Sequence, residues 1–177
     1  MTIFPQWHTR LSAVRALRHL EPADLATYAA AIVDTLEYQN ADVRASVDIT
    51  LDKLDPVVYA QYVPDISAKL DHAEGAVCET VLDMLGYLEP ADLAHYATAI
   101  VAKLEDDDML VRAKAAKTLG NLEPNDLARH APSIAAKLVD DEWFVRKNAT
   151  ETLGNLDPKD LMECLETFFS ALGVRYV

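Results

Sequence analysis

The sequence predicts an all-α fold, an α-α superhelix of stacked helix pairs, on three observations. Five Leu-acid-Pro tripeptides, Leu20-Glu21-Pro22, Leu54-Asp55-Pro56, Leu88-Glu89-Pro90, Leu122-Glu123-Pro124 and Leu156-Asp157-Pro158, recur at a fixed spacing of 34 residues. A strict period of that length marks a solenoid. Apolar residues after each tripeptide recur at three- and four-residue steps, the spacing of one helical face. Gly86, Gly120 and Gly154 fall at one phase of the period, where a helix is expected to stop in a left-handed turn.

The chain opens within a repeat. Residues 9–20 share the phase of the second helix of each later pair, so the first element is a helix B with no helix A before it. After each tripeptide comes helix A, about 16 residues long. Its proline suits the first helical position, where the missing N–H is not needed, and Asp24, Asp92, Asp126 and Asp160 occupy the electropositive first turn. Its stripe reads Leu25, Tyr28, Ala29, Ile32, Val33 and Leu36 in one copy, and Leu93, Tyr96, Ala97, Ile100, Val101 and Leu104 in another. An acidic turn such as Glu105-Asp106-Asp107-Asp108 leads into helix B, about 12 residues, with the stripe Val111, Ala115, Ala116, Leu119 and Leu122. The last element, Leu161 to Leu172, is a helix A with no helix B after it. The expected order is therefore B, four AB pairs, then A. That makes ten helices in about five repeats over one domain, residues 1–177, with junctions near 20–22, 54–56, 88–90, 122–124 and 156–158. One pair cannot bury both stripes, so neighbouring pairs must stack.

Composition narrows the function classes. A chain that is 51% hydrophobic and 25% charged, with 5 Gly and 8 Pro, is built to fold. A net charge of −13 supplies no basic surface to neutralise phosphates, so no nucleic acid and no anionic membrane is expected as partner. Cys78 and Cys164 lie in different phases of the repeat, and no disulfide framework is expected. The stretch Met1-Thr2-Ile3-Phe4-Pro5-Gln6-Trp7-His8 lacks the basic-then-apolar build of a signal peptide, and no apolar run approaches the ~18 residues of a membrane span. A soluble, intracellular, cytoplasmic protein is expected.

A 34-residue helix pair has the length of a tetratricopeptide repeat, but that family carries a glycine in its first helix. Here Ile100 and Ile134 stand at that position, and the recurrent glycine ends helix B. The chain instead resembles HEAT repeats. Their pattern has a proline inside the first helix, an aspartate eight residues later in the turn, and Val-Arg at thirteen and fourteen. Pro132, Asp140, Val145 and Arg146 reproduce it, Pro64 repeats the proline, and the arginine recurs as Arg10, Arg44, Arg112 and Arg146. The resemblance covers residues 9–172 and implies a right-handed HEAT-like solenoid. The recurrent proline points to a shared kink. In the family the turn aspartate and the arginine link adjacent repeats. Asp106 and Asp140 are present, but Tyr38 and His72 stand at the equivalent positions and Cys78 replaces the third arginine. A softer joint is therefore expected around residues 72–78.

HEAT solenoids hold partners on the concave face lined by the B helices, and the resemblance implies a protein partner here. With Val43, Val47, Leu51 and Leu54 assigned to the core, the opposite stripe contains residues 42, 46, 49 and 53. Its columns vary most between copies, as columns free of stacking duty should: Ser46, Thr80, Lys114, Asn148 in one, Ile49, Asp83, Lys117, Glu151 in the next. Lys114 and Lys117 lie one turn apart, with Asn148 and Glu151 on the following helix; a solvated face and a binding site both fit that pattern. Trp7, Met109 and Trp143 share the phase at which helix B starts, with Leu110 and Phe144 next to two of them. They either form an interaction surface or staple the turn. The expected contact residues are Leu110, Lys114, Lys117, Trp143, Phe144, Asn148 and Glu151, in a scaffold or a subunit of a larger assembly.

No catalytic, cofactor or metal site is expected. His130 shares the phase of Tyr28, Tyr62 and Tyr96 and reads as a core aromatic substitute, with Cys164 buried in the same column. No spacing of His, Cys and carboxylates suggests zinc, and the runs Asp106-Asp107-Asp108 and Asp140-Asp141-Glu142 lack the alternating ligands and turn glycine of a calcium loop. None of His8, His19, His72, His95 and His130 is followed by Glu, the dipeptide with which the HEAT-like deoxyhypusine hydroxylases hold two irons. The chain is thus expected not to be an enzyme. The alternative is a bilin lyase-like enzyme, because phycobiliprotein lyases also contain short HEAT-like repeats.

Overall fold

The computed structural model describes residues 6–173. The chain divides into two compact units, Met1–Met84 and Leu85–Val177. In the first, α1 (Gln6–Leu17) is followed by a helix A in two pieces, α2 (Pro22–Ala26) and α3 (Ala29–Asp34), then α4 (Ala41–Leu51), α5 (Pro56–Ala68) and α6 (Gly75–Leu85). The second opens with another divided helix A, α7 (Pro90–Leu93) and α8 (Ala97–Ala102). It continues through α9 (Met109–Leu119), α10 (Pro124–Ala135), α11 (Trp143–Leu153) and α12 (Pro158–Ala171). With each divided helix A counted once, the described residues run B, four AB pairs, A, and contain no strand. The all-α helical-repeat fold read from the sequence is the fold observed.

The tripeptide is the punctuation of the repeat. Its acid is the N-cap of helix A, with extended backbone at Glu21, Asp55, Glu89, Glu123 and Asp157. The ring of a following proline forces that conformation by excluding the helical region. The proline itself then takes the first turn, where it forfeits no hydrogen bond. From α3 to α10, each helix A tightens at its end into a short 3-10 turn, and the residue after it, Tyr38, His72, Asp106 or Asp140, is extended. Two of the B helices that follow are capped by side chains. Asn40 Oδ1 accepts from the Asp42 and Val43 amides at 2.9 and 3.2 Å, and Asp108 Oδ1 accepts from Leu110 at 2.8 Å. Each unit then closes on the predicted stripes, with Leu25, Ile32, Leu36, Val43, Val47 and Leu51 sealed from solvent in one, and Leu93, Ile100, Leu104, Val111, Ala115 and Leu119 in the other.

One local expectation is corrected. The glycines that end helix B do not adopt the left-handed conformation: Gly120 and Gly154 have φ of −65 and −64, and Gly173 is the one described residue with positive φ. At Gly120 the reason is space. A Cβ there would stand 3.0 Å from Thr152 Oγ1 on the next helix B and 3.0 Å from the Lys117 carbonyl. Pro64 and Pro132 lie inside the continuous helices α5 and α10. The divided helices are the ones without that proline, and they part at Tyr28 and Tyr96, with φ of −106 and −103.

The arginine phase explains how turns are tied down. Arg44 Nη1 donates to the carbonyls of Tyr38 and Gln39 at 2.8 and 2.9 Å, Arg112 Nη1 to those of Asp106 and Asp107 at 3.0 and 3.1 Å, and Arg146 Nη1 to those of Asp140 and Asp141, both at 2.7 Å. One guanidinium thus satisfies two carbonyls that the extended turn leaves without helical partners. At the same phase Cys78 points its thiol at the carbonyls of Leu70 and His72, at 3.1 and 3.3 Å. A thiol is a weaker donor than a guanidinium.

Candidate functional site

The seven residues singled out from the sequence all lie on α9 and α11, neighbouring B helices of the second unit. Leu110 and Trp143 are exposed, by 46% and 64%, and Phe144 is half-buried beneath an edge-to-face contact with Trp143, ring centroids 5.8 Å apart at 89°. These positions are where helix B begins. Trp7, at the same phase in α1, is half-buried and stacks on His8 at 3.4 Å. Further along, Lys117 and Glu151 are exposed, while Lys114 and Asn148 are half-buried. Lys117, Asn148 and Glu151 meet around a shallow depression of about 210 Å³ that Asn121, Thr152 and Asn155 also line. Glu151 is 3.6 Å from Lys147 on its own helix, and both side chains are more than half exposed, so this pair contributes little.

The polar residues of this face are not free of stacking duty. Asn148 Nδ2 donates to the Ala113 carbonyl at 2.9 Å, Thr152 Oγ1 to Ala116 at 2.8 Å and Asn155 Nδ2 to Gly120 at 2.9 Å. Three rungs therefore fasten α11 to the backbone of α9. The same rung recurs as Asn121 to the Gly86 carbonyl at 2.9 Å, and in the first unit as Lys53 Nζ to the Arg18 carbonyl at 2.9 Å. The equivalent positions of Asn121 and Asn155 were the sequence signal for it. A primary amide one period along is placed to reach the carbonyl that a helix end leaves open.

A second feature had no counterpart in the sequence reading. Between α10 and α12 runs a groove of about 730 Å³, floored by Ala128, Ala131 and Ala135 and walled by Cys164, Phe168 and Leu172, with Arg129, Asp160 and Glu163 at its margin. Small side chains on α10 leave the space that the phenylalanine and leucine of α12 do not fill. Burial pushes the Cys164 thiol above its ordinary range, which keeps it protonated and poorly nucleophilic near neutral pH. His130 and Tyr62, read as members of a core column, are half-buried, and Tyr28 is exposed. Among the described residues no cluster of three or more His, Cys, Asp or Glu is placed to hold a metal ion. No described helix is long and apolar enough to cross a membrane.

No protein-family model matches the sequence, and no curated protein matches it. Solved structures do. An engineered protein from the Northeast Structural Genomics Consortium superposes with a TM-score of 0.61 at 16% identity, covering 93% of this chain and 81% of that one. The complex of CpcE and CpcF of phycocyanin lyase from Nostoc sp. PCC7120 supplies a chain with a TM-score of 0.62 at 19% identity, covering 85% of this chain and 92% of that one. At such identities the likeness is one of fold, and a helical solenoid-like repeat is the fold shared. It overturns one expectation. The absence of a catalytic motif predicts that the chain is not an enzyme, but a chain of a phycocyanin lyase shares this fold, so that exclusion is withdrawn.

Proposed function

We propose that the protein is a HEAT-like repeat subunit of a lyase of the phycobiliprotein type, acting on a linear tetrapyrrole in association with a protein partner. The observation that carries this reading is the likeness to the phycocyanin lyase chain over 85% of this chain and 92% of that one. Two features of the site support it. The α10–α12 groove, at about 730 Å³, is within the 300–1,000 Å³ typical of small-molecule sites and, like them, mostly apolar with a few charged groups at the margin. The exposed Trp143 and Leu110 give α9 and α11 the aromatic and aliphatic anchors on which protein interfaces depend. In this reading Trp143, Phe144 and Leu110 make the partner contact and Lys114, Lys117 and Glu151 flank it, while Asn148 holds α11 in place. An intracellular setting suits an assembly of this kind.

The test is an absorbance titration of the purified chain with an open-chain tetrapyrrole. A binder fixes the flexible pigment in one conformation, so a saturable shift and sharpening of its long-wavelength band is expected. A spectrum indistinguishable from that of free pigment with an inert acidic protein counts against the reading.

A further inference from the structure

The turn between α5 and α6 differs from its two later counterparts in the chemistry of one acceptor. In those turns an aspartate bends back to cap the residue two further on: Asp106 Oδ1 accepts from the Asp108 amide at 3.0 Å, and Asp140 Oδ1 from the Glu142 amide at 3.0 Å. Before α6 the same bond is made to an imidazole, with His72 Nδ1 accepting from the Glu74 amide at 3.0 Å. A ring nitrogen accepts only while it carries no proton, so this bond belongs to the neutral imidazole with its proton on Nε2. An aspartate ordinarily stays an acceptor down to about pH 4, whereas imidazole ordinarily takes up a proton between about pH 8 and 5. Of the three turns, the one before α6 therefore has an acceptor that mild acid removes.

The surroundings draw the protonated ring away from its bond. His72 shares a groove of about 530 Å³ with Asp34 and Glu37, from α3 and the turn after it, and with Asp65, Lys69 and Asp71, from α5 and the turn after it. Lys69 is engaged with Glu37 at 2.7 Å, and Glu74 accepts from Gln39 Nε2 at 2.9 Å. An imidazolium is attracted to these carboxylates and repelled by the amide N–H it had accepted from. On α4, Arg44 stands as far before His72 as Arg112 stands before Asp140, but its Nε goes to Thr80 Oγ1 at 3.4 Å. The later joint thus has an ion pair where this one has an arginine and an imidazole. On α6 the group that reaches the His72 carbonyl is the Cys78 thiol, at 3.3 Å. The first helical bond of α6 is also the longest of the three, Cys78 amide to Glu74 carbonyl at 3.5 Å, against 3.1 and 3.2 Å for Arg112 and Arg146.

We propose that the turn at residues 72–74 is a proton-operated joint: one proton taken up by His72 releases the start of α6, while the turns at residues 106–108 and 140–142 stay capped. The device is independent of any ligand of the protein. It makes one joint of the solenoid looser in mild acid and leaves the others as they are.

Native-state hydrogen exchange at about pH 8 and about pH 5, the span over which imidazole titrates, tests this, with each amide rate referred to that of unstructured peptide at the same pH. Protection of residues 72–78 in the natural chain is expected to fall about tenfold from the higher pH to the lower, the scale of one lost hydrogen-bond acceptor, with residues 106–112 and 140–146 unchanged. His72→Asp, which supplies the acceptor used in the later turns, is expected to abolish the fall. His72→Ala, with no acceptor at either pH, is expected to keep residues 72–78 at the lower level throughout. Equal protection of residues 72–78 at both pH values in the natural chain, at whatever level, overturns the proposal, as does a fall shared by the two later turns. So does a pH-dependent loss that persists in either variant, because another group then takes up the proton.

Discussion

Arg112 on α9 grips Asp140 in the next intra-repeat turn with two parallel bonds, Nε to Oδ2 at 2.9 Å and Nη2 to Oδ1 at 3.1 Å. The carboxylate is 7% exposed and also accepts from the Glu142 amide at 3.0 Å. The hydrogen bond from Arg112, helped by that amide and by nearby positive charge and opposed by burial, holds the Asp140 carboxyl below the usual aspartate range. A group with a depressed folded-state value adds stability above its unfolded value and loses it as pH falls through the folded one. Asp140→Asn is therefore expected to cost about 2 kcal/mol at neutral pH, the scale of a charge-assisted pair at a mostly buried site. Urea unfolding of the two proteins across the acid range tests this, and a difference that does not shrink as pH drops below the aspartate range counts against it.

The joint at residues 72–78 lacks that grip. His72 occupies the phase of Asp140 and uses Nδ1 to accept from the Glu74 amide at 3.0 Å, which restores the turn but not the charge. Cys78 offers a thiol where Arg112 and Arg146 offer a guanidinium. Amides of residues 72–78 are expected to exchange faster than those of 140–146 in native-state hydrogen exchange, by opening that leaves the rest of the helices closed. Equal protection in the two stretches rules the idea out.

What was legible in the sequence follows from which forces are periodic. The tripeptides, the apolar stripes and the arginine recur because each repeat solves the same burial and turn problem, so element order and core positions could be read directly. The rungs from Asn121, Asn148, Thr152 and Asn155 were missed because their acceptors are backbone carbonyls, which have no letter in a sequence. The role of Gly120 was misassigned for the same reason: its constraint is the approach of Thr152, 32 positions away in the sequence, and not its own backbone angle. The α10–α12 groove comes from the volumes of facing side chains, and no single helix encodes it.

Gly120 and Gly154 occupy the same phase and the same helical backbone conformation, yet they should respond differently to alanine. At Gly120 the added methyl meets Thr152 Oγ1, held by its bond to the Ala116 carbonyl, and a backbone oxygen, both at 3.0 Å. At Gly154 the nearest atom is the Glu151 carbonyl of its own helix at 3.2 Å, and no neighbouring helix approaches. Gly120→Ala is expected to destabilise by about 1–3 kcal/mol through overpacking. Gly154→Ala is expected near neutral, since alanine's helix preference of about 1 kcal/mol offsets the tighter contact. Thermal melts of the two variants measure the contrast, which the reverse order would contradict.

Asp48 on α4 is half-buried, and its carboxyl is pushed above the ordinary range by burial first and then by the charges of Asp83 and Asp52. The same surroundings push the Tyr59 phenol up to about 12, again chiefly through burial. A carboxylate with a raised folded-state value costs stability once pH exceeds its unfolded value, and the penalty is complete above the folded one. Asp48→Asn is expected to stabilise the fold at neutral pH by about 0.5 kcal/mol, the size of a like-charge helix pair at four-residue spacing near a helix C-terminus. The gain should vanish in acid, and a variant less stable than the natural chain at pH 7 would show that the carboxylate has a favourable partner.

Trp143 separates the two meanings left open for the aromatic residues at the start of helix B. A residue that staples the turn contributes burial, whereas one that anchors a partner spends its burial only in the complex. Trp143 is 64% exposed, and its visible contact is the edge-to-face pair with Phe144, a contact worth about 0.5–1.5 kcal/mol. Trp143→Ala should therefore cost about 1 kcal/mol or less in urea unfolding, far from the 3–5 kcal/mol of a core aromatic. The natural chain should show a solvent-like component of tryptophan emission, open to quenching by iodide, that disappears in Trp143→Ala. A core-sized loss of stability would assign Trp143 to the fold and remove it from the binding face.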